Sequence, residues 1–274
     1  MTPEEWERLL LDATAGVRVT VAALASKGER GKTVGVGASG DRTLEADRAA
    51  EDELMKVLLP ERGTRVLSEE AGLRGDTDGR TLAVVDPLDG SSNFARGIPF
   101  YCTSVAVSEG PSLGDIVVGV VRDLVNGDVY HAVKGRGTKK NGTRVKTGQV
   151  ERVPEAVLGV DLSRAGPGLV RRMAPLVGHA KRQVHFGANA LELCYVADGT
   201  TDAFVDLRDS IRITDMAAAY LIASEAGAVI TDPWGKELGS TFDLEHRLSL
   251  VASANEALHK EILRLCGPEG VGSA

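Results

Sequence analysis

Four apolar residues, Leu82, Ala83, Val84 and Val85, run straight into Asp86-Pro87-Leu88-Asp89-Gly90-Ser91-Ser92-Asn93. A short apolar run stopped by a charge reads as a buried strand that delivers side chains to a site. Two carboxylates three residues apart thus emerge at a strand end. Pro87 restricts its own φ and biases Asp86 towards an extended backbone, so the turn aims Asp86, the Leu88 carbonyl and Asp89 into a common space. Hard oxygen donors of this kind suit Mg²⁺ or Mn²⁺ far better than zinc, which prefers nitrogen and sulfur. Gly90, Ser91 and Ser92 then offer backbone N–H groups and hydroxyls for phosphate oxygens. Metal carboxylates leading directly into phosphate donors are what metal-assisted phosphoryl transfer needs. Taken alone, the same string also serves as an ordinary turn that caps a helix.

The surrounding pattern is mixed. Thr2, Pro3 and Glu5 read as N-cap, first helical residue and capping-box partner of a helix over residues 3–25. Trp6, Leu9, Leu10, Ala13, Val17 and Val21 share one face of it. Residues 28–41 are glycine-rich without sustained periodicity and read as a mobile loop. A second helix is expected over residues 44–59, stopped by Pro60. Residues 66–67, 103–107 and 116–121 add strands, while Asn126-Gly127 and Asn141-Gly142 mark hairpin turns. In the last third, helices at 168–177, 189–197 and 256–266, and one that starts near Asp215 and ends at Gly227, alternate with extended stretches at 203–206 and 228–231. Asp232-Pro233-Trp234-Gly235 is a turn. Long helices, hairpins and interleaved strands point to a layered α/β or α+β architecture. Without repeats or a low-complexity linker, the halves 1–145 and 146–274 are expected to pack together.

Composition narrows the function classes. A net charge of −7 argues against a nucleic-acid or membrane-surface partner. It leaves a phosphorylated substrate open, because bound divalent cations reverse the local sign. Cys102, Cys194 and Cys266 lie far apart with no C-x-x-C pair, which suggests reduced, buried thiols in a cytoplasm. No apolar run approaches the ~20 residues of a membrane span. None of the five histidines pairs at metal-ligand spacing.

Two more acidic sites join the first. Leu67-Ser68-Glu69-Glu70 ends another apolar run, and Ile213-Thr214-Asp215-Met216-Ala217-Ala218 opens a helix that closes on Glu225-Ala226-Gly227. A Glu-Glu pair is commonly solvated surface and Thr-Asp commonly an N-cap, so the combination carries the weight. In their order and rough spacing these three motifs resemble the inositol monophosphatase family over nearly the whole chain. The branch most like it contains archaeal and thermophile-type enzymes that act on inositol 1-phosphate and fructose 1,6-bisphosphate.

That resemblance implies an αβαβα sandwich of the sugar-phosphatase type, its active site between the halves. It implies two to three Mg²⁺, with Mn²⁺ as an alternative. One would be held by Glu69, Asp86 and the Leu88 carbonyl, a second by Asp86, Asp89 and Asp215, a third near Glu69 and the glycine-rich loop. By the same resemblance the reaction would be hydrolysis of a phosphomonoester by in-line attack of a metal-activated water, oriented by Glu69 and Ser91, with Asp47 bonded to the Ser91 hydroxyl. Backbone N–H groups of Gly90 and Ser91 would bind phosphate. Asp89, Gly187, Ala188, Asn189 and Asp206 would face the polyol. Asn189 stands where a small residue is usual, and Asp206 to Asp215 is longer than in animal inositol phosphatases. Lys181, Arg182 and His185 would either meet a second phosphate or form a solvated basic patch. Lithium sensitivity and a homodimer belong to the same expectation. The rivals are a 3′-phosphoadenosine 5′-phosphate phosphatase, which usually carries Thr-Lys-Glu where Ser91-Ser92-Asn93 stand, and a non-catalytic metal-binding regulatory protein.

Overall fold

In the computed structural model, which describes residues 1–28, 30–40, 42–239 and 241–266, the chain begins with helix α1 (Pro3–Ser26). There follow β1 (Thr33–Val36), β2 (Arg42–Leu44), α2 (Glu45–Leu58), β3 (Thr64–Ser68), β4 (Gly72–Gly75), β5 (Thr81–Asp89) and α3 (Ser91–Arg96). Then come β6 (Cys102–Ser108), β7 (Ile116–Asp123), β8 (Val129–Val133), β9 (Thr138–Lys140) and β10 (Thr143–Val145). The remainder is β11 (Val157–Val160), α4 (Pro167–His179), β12 (Arg182–Val184), α5 (Asn189–Ala197), β13 (Ala203–Ile211), α6 (Ile213–Ala226), β14 (Val229–Thr231), β15 (Leu248–Ser253) and α7 (Glu256–Cys266).

Two large sheets and three helical layers result, beside a two-stranded ribbon of β1 and β2. The larger sheet has the order β10-β9-β8-β7-β6-β5-β3-β4, the smaller β12-β11-β13-β15-β14. Side chains alternate across each strand, so one strand feeds two cores. Ala83, Val85, Val105 and Val107 join Trp6, Leu10, Val17 and Leu54 of α1 and α2 on the outer face. Leu82, Val84 and Ala106 turn inward to α5 and α6, where Phe204, Leu250 and Ala252 of the smaller sheet meet them. Val205 and Val251 face the other way, onto α4 and α7. This is the expected αβαβα sandwich. The alanines of α6 permit close packing: a Cβ on Gly119 of β7 would sit 2.7 Å from the Ala218 carbonyl oxygen.

Local signals explain most element ends. The Glu5 N–H donates to Thr2 Oγ1 at 3.3 Å, and the Thr2 N–H to Glu5 Oε2 at 2.7 Å, which completes the capping box. Asn141 and Gly142 adopt positive φ in the β9–β10 turn, and Gly227 closes α6 in the left-handed region. Glu225 is structural: its carboxylate accepts the N–H groups of Gly135 at 2.7 Å and Gly137 at 2.8 Å, tying the β8–β9 loop to α6.

One expectation is corrected. The glycine-rich stretch is not all loop, since β1 pairs antiparallel with β2. Every residue of β1 is exposed, so the strand rests on backbone pairing and leaves no apolar periodicity to read. Glu29 and Asp41 of that stretch, and residues 267–274, lie outside the described residues. By length and composition alone α1 could cross a membrane. Its apolar stripe is instead spent on the core, with Leu10 and Val17 fully buried.

Candidate active site

The acidic residues meet because β3 and β5 are parallel neighbours. Ser68 pairs with Val85, and the Glu69 N–H donates to the Val85 carbonyl at 3.3 Å, so Glu69 and Asp86 leave the same sheet edge side by side. At Pro87 the β5–β6 register shifts, between Asp86 and Asp89, and the Leu88 N–H folds back onto Asp86 Oδ1 at 3.0 Å. α6 packs across β5 and β6, which lowers its first turn, with Asp215, over that edge. Carboxylate oxygens of Glu69, Asp86 and Asp215 lie within 4.8 Å of one another. Asp89 stands beside this trio, its Oδ2 accepting the Ala190 N–H at 2.7 Å in the first turn of α5.

Such crowding is unfavourable without a counter-charge. Burial and then repulsion from Glu69, Asp89 and Asp215 push Asp86 far above the usual carboxylate range. Burial followed by Asp215 pushes Glu69 up to about 8, against the pull of Arg212. Burial raises Asp89 and Asp215 too, although the Ala190 N–H and Arg212 respectively oppose it. An all-oxygen donor set under mutual repulsion fits a hard divalent cation.

Beside the cluster opens a cavity of about 660 Å³, lined among others by Glu69, Gly90, Ser91, Ser92, Gly187, Arg42, Arg164 and Arg212. Asp47 is buried and accepts the Leu44 N–H on Oδ2 at 2.6 Å, while its Oδ1 has no partner among the described residues. Burial pushes Asp47 up to about 7, with Glu70 and Glu51 adding to the effect and the Leu44 N–H opposing it. Gly90 turns at φ 86°, and a Cβ there would stand 3.0 Å from the Phe100 carbonyl oxygen and 3.2 Å from the Cβ atoms of Ala188 and Tyr101. Gly90→Ala is therefore expected to cost about 1–3 kcal/mol of stability and to displace the Ser91 turn, both measurable by thermal melting and turnover.

The expected polyol residues divide. Gly187 lines the cavity and is clamped from two sides: its N–H donates to Glu192 Oε1 at 2.9 Å, and Asn93 Nδ2 donates to the Phe186 carbonyl at 2.7 Å. Ala188 precedes α5, and Asn189 Nδ2 reaches Asp215 Oδ2 at 3.4 Å. Asp206 is a correction. It is fully buried and held by Arg208, Nε to Oδ1 at 2.8 Å and Nη2 to Oδ2 at 2.6 Å, so its carboxylate is already taken. His185 is committed as well, between Glu192 at 3.0 Å and Asp161 at 3.4 Å.

Arg212, Glu192 and Arg164 went unnoticed in the sequence. Arg212 sits three residues before Asp215, a spacing that one helical turn makes meaningful, and its Nη1 lies 3.0 Å from Glu69 Oε1. Glu192 and Arg164 carry no local signal.

Comparison with known proteins bears on the whole chain. A Methanothermobacter thermautotrophicus protein named fructose-1,6-bisphosphatase/inositol-1-monophosphatase is 36% identical over 271 residues, covering 94% of this chain and 95% of its own. A Methanocaldococcus jannaschii protein named bifunctional NADP phosphatase/NAD kinase is 32% identical over 86% of this chain and 46% of its own length. A solved Pyrococcus horikoshii structure, described with similarities for inositol-1 monophosphatase, superposes with a TM-score of 0.82 at 30% identity, over 96% of this chain and 99% of that one. The sequence profile of one family accounts for residues 7–267, nearly the whole chain, and the chain belongs to it: the inositol monophosphatase family.

Proposed function

We propose that the chain is a magnesium-dependent phosphomonoesterase acting on inositol 1-phosphate, fructose 1,6-bisphosphate or both. The observation that carries the reading is the trio of carboxylates, buried Asp86 and Asp215 with half-buried Glu69, opening onto a cavity edged by Gly90, Ser91 and three arginines. Glu69, Asp86 and the Leu88 carbonyl would hold one Mg²⁺, and Asp86, Asp89 and Asp215 a second. A third would lie near Glu69, and Mn²⁺ would serve in the same places. Bound there, the cations supply charge neutralisation on the phosphate and a water of lowered pKa.

The chain's own residues do the rest. Glu69 and the Ser91 hydroxyl orient the attacking water, and the unpartnered Oδ1 of Asp47 is the acceptor assigned to that hydroxyl. N–H groups of Gly90 and Ser91 receive phosphate oxygens. Asp89, Gly187, Ala188 and Asn189 face the polyol, with Gly187 kept in position by Asn93 and Glu192. A homodimer in the cytoplasm, inhibited by lithium, completes the proposal. The three buried thiols without a disulfide are in keeping with that compartment.

Phosphate release with magnesium tests it, with inositol 1-phosphate, fructose 1,6-bisphosphate, 3′-phosphoadenosine 5′-phosphate and NADP compared side by side. Turnover of either of the first two supports the reading. Turnover of nucleotides alone overturns the substrate and keeps the metal site. Silence on all four with metal bound makes this a non-catalytic member of the family.

A further inference from the structure

We infer that Arg212 is a phosphate-binding residue held in reserve: it pairs with Glu69 while no metal is bound and turns to the substrate's phosphate once Glu69 serves as a metal ligand. The inference rests on the reading of the carboxylate cluster as a metal site, and goes beyond it in assigning Arg212 two partners.

Three observations support it. The guanidinium Nη1 lies 3.0 Å from Glu69 Oε1, so it occupies an oxygen that a cation at the cluster would need. Arg212 also lines the cavity together with Gly90, Ser91 and Ser92, so only its side chain has to swing for it to meet an anion seated on that turn. Its backbone stays put as the residue before α6, where the Arg212 N–H points at Asp215 Oδ2 at 3.4 Å. Charge balance gives the direction of the exchange. With Glu69, Asp86, Asp89 and Asp215 crowded together, one guanidinium is a partial counter-charge that no accessible pH removes. Divalent cations balance those carboxylates on their own. With Glu69 taken by a cation, the guanidinium binds a phosphate dianion in a charge-assisted pair.

Arg212→Met keeps the length and apolar stem and removes the charge. Manganese binding without substrate, followed by electron paramagnetic resonance, is expected to tighten about threefold or more. Inorganic phosphate binding at saturating magnesium, followed by calorimetry, is expected to weaken about tenfold or more. Glu69→Gln gives a second reading without metal: the protein should bind inorganic phosphate more tightly than the parent, and the double variant should lose that gain. Unchanged phosphate affinity in Arg212→Met, or weaker manganese binding, overturns the inference and leaves the pair a structural one. Failure of the parent to bind manganese at all sinks the metal-site reading itself, and this inference with it.

Discussion

Asp86→Asn is expected to lower turnover by at least about a thousandfold and, in the same protein, to raise the melting temperature of the metal-free state. Asp86 is the most enclosed of the clustered acids at 2% exposure, and Glu69, Asp89 and Asp215 all repel its charge. Asparagine has nearly the same shape, and its amide oxygen can still accept the Leu88 N–H that Asp86 Oδ1 holds at 3.0 Å. The change therefore deletes a charge and little else. Relief of repulsion by about 1–2 kcal/mol corresponds to a rise of about 3–6 °C in the presence of a chelator. With magnesium the order reverses, because the parent gains the linkage energy of bound cations and the variant loses much of it. Two melts and one rate constant decide the matter. Retained turnover would remove Asp86 from the chemistry, and a fall in both melts would make it a structural residue.

The metal-free protein is also expected to lose stability as pH rises, opposite to the behaviour of a protein held by ion-paired carboxylates. Glu69 and Asp47 are held at about 8 and about 7, above their ordinary values of 4.5 and 3.8. Between those limits the folded chain binds more protons than the unfolded one, so stability falls as pH climbs. The contribution is complete below the ordinary values and is lost once pH has passed the raised ones. Both groups act together, so the melting temperature in chelator is expected to drop by about 5–10 °C between roughly pH 5 and 8. Saturating magnesium should flatten the profile, since cations replace protons as the counter-charge. A flat profile in chelator would mean that Arg212 and solvent already neutralise the cluster.

Much of the site was legible one residue at a time. Glu69, Asp86 and Asp89 announce themselves by ending apolar runs, and Asp215 by opening a helix; both signals are local in the chain. The same holds for the capping box of α1, the Asn-Gly hairpin turns, and α5 and α7, whose ends fall where periodicity places them. The hairpin of β1 and β2 escaped because exposed strands share no apolar face. Asp206 escaped for another reason. The register shift between Asp206 and Ile211 on β13 carries Arg208 back over Asp206, and Asp161 at the end of β11 ion-pairs with the same guanidinium. No local string records that Asp161, 47 residues before Arg208, shares its guanidinium.

What the sequence by itself determined is therefore the set of acids, their positions at element ends, and the layered architecture, because period, caps and turn chemistry act over a few residues. Which acids share one space was left to the tertiary structure. The parallel register of β3 with β5 aligns Glu69 with Asp86, and the packing of α6 across β5 brings in Asp215 from more than a hundred residues away. Arg212 follows by the same route, because a residue's counter-charge depends on which surfaces the core presses together. Local preference supplies the parts of this centre, and burial of the sheet between two helical layers brings them close enough to act as one.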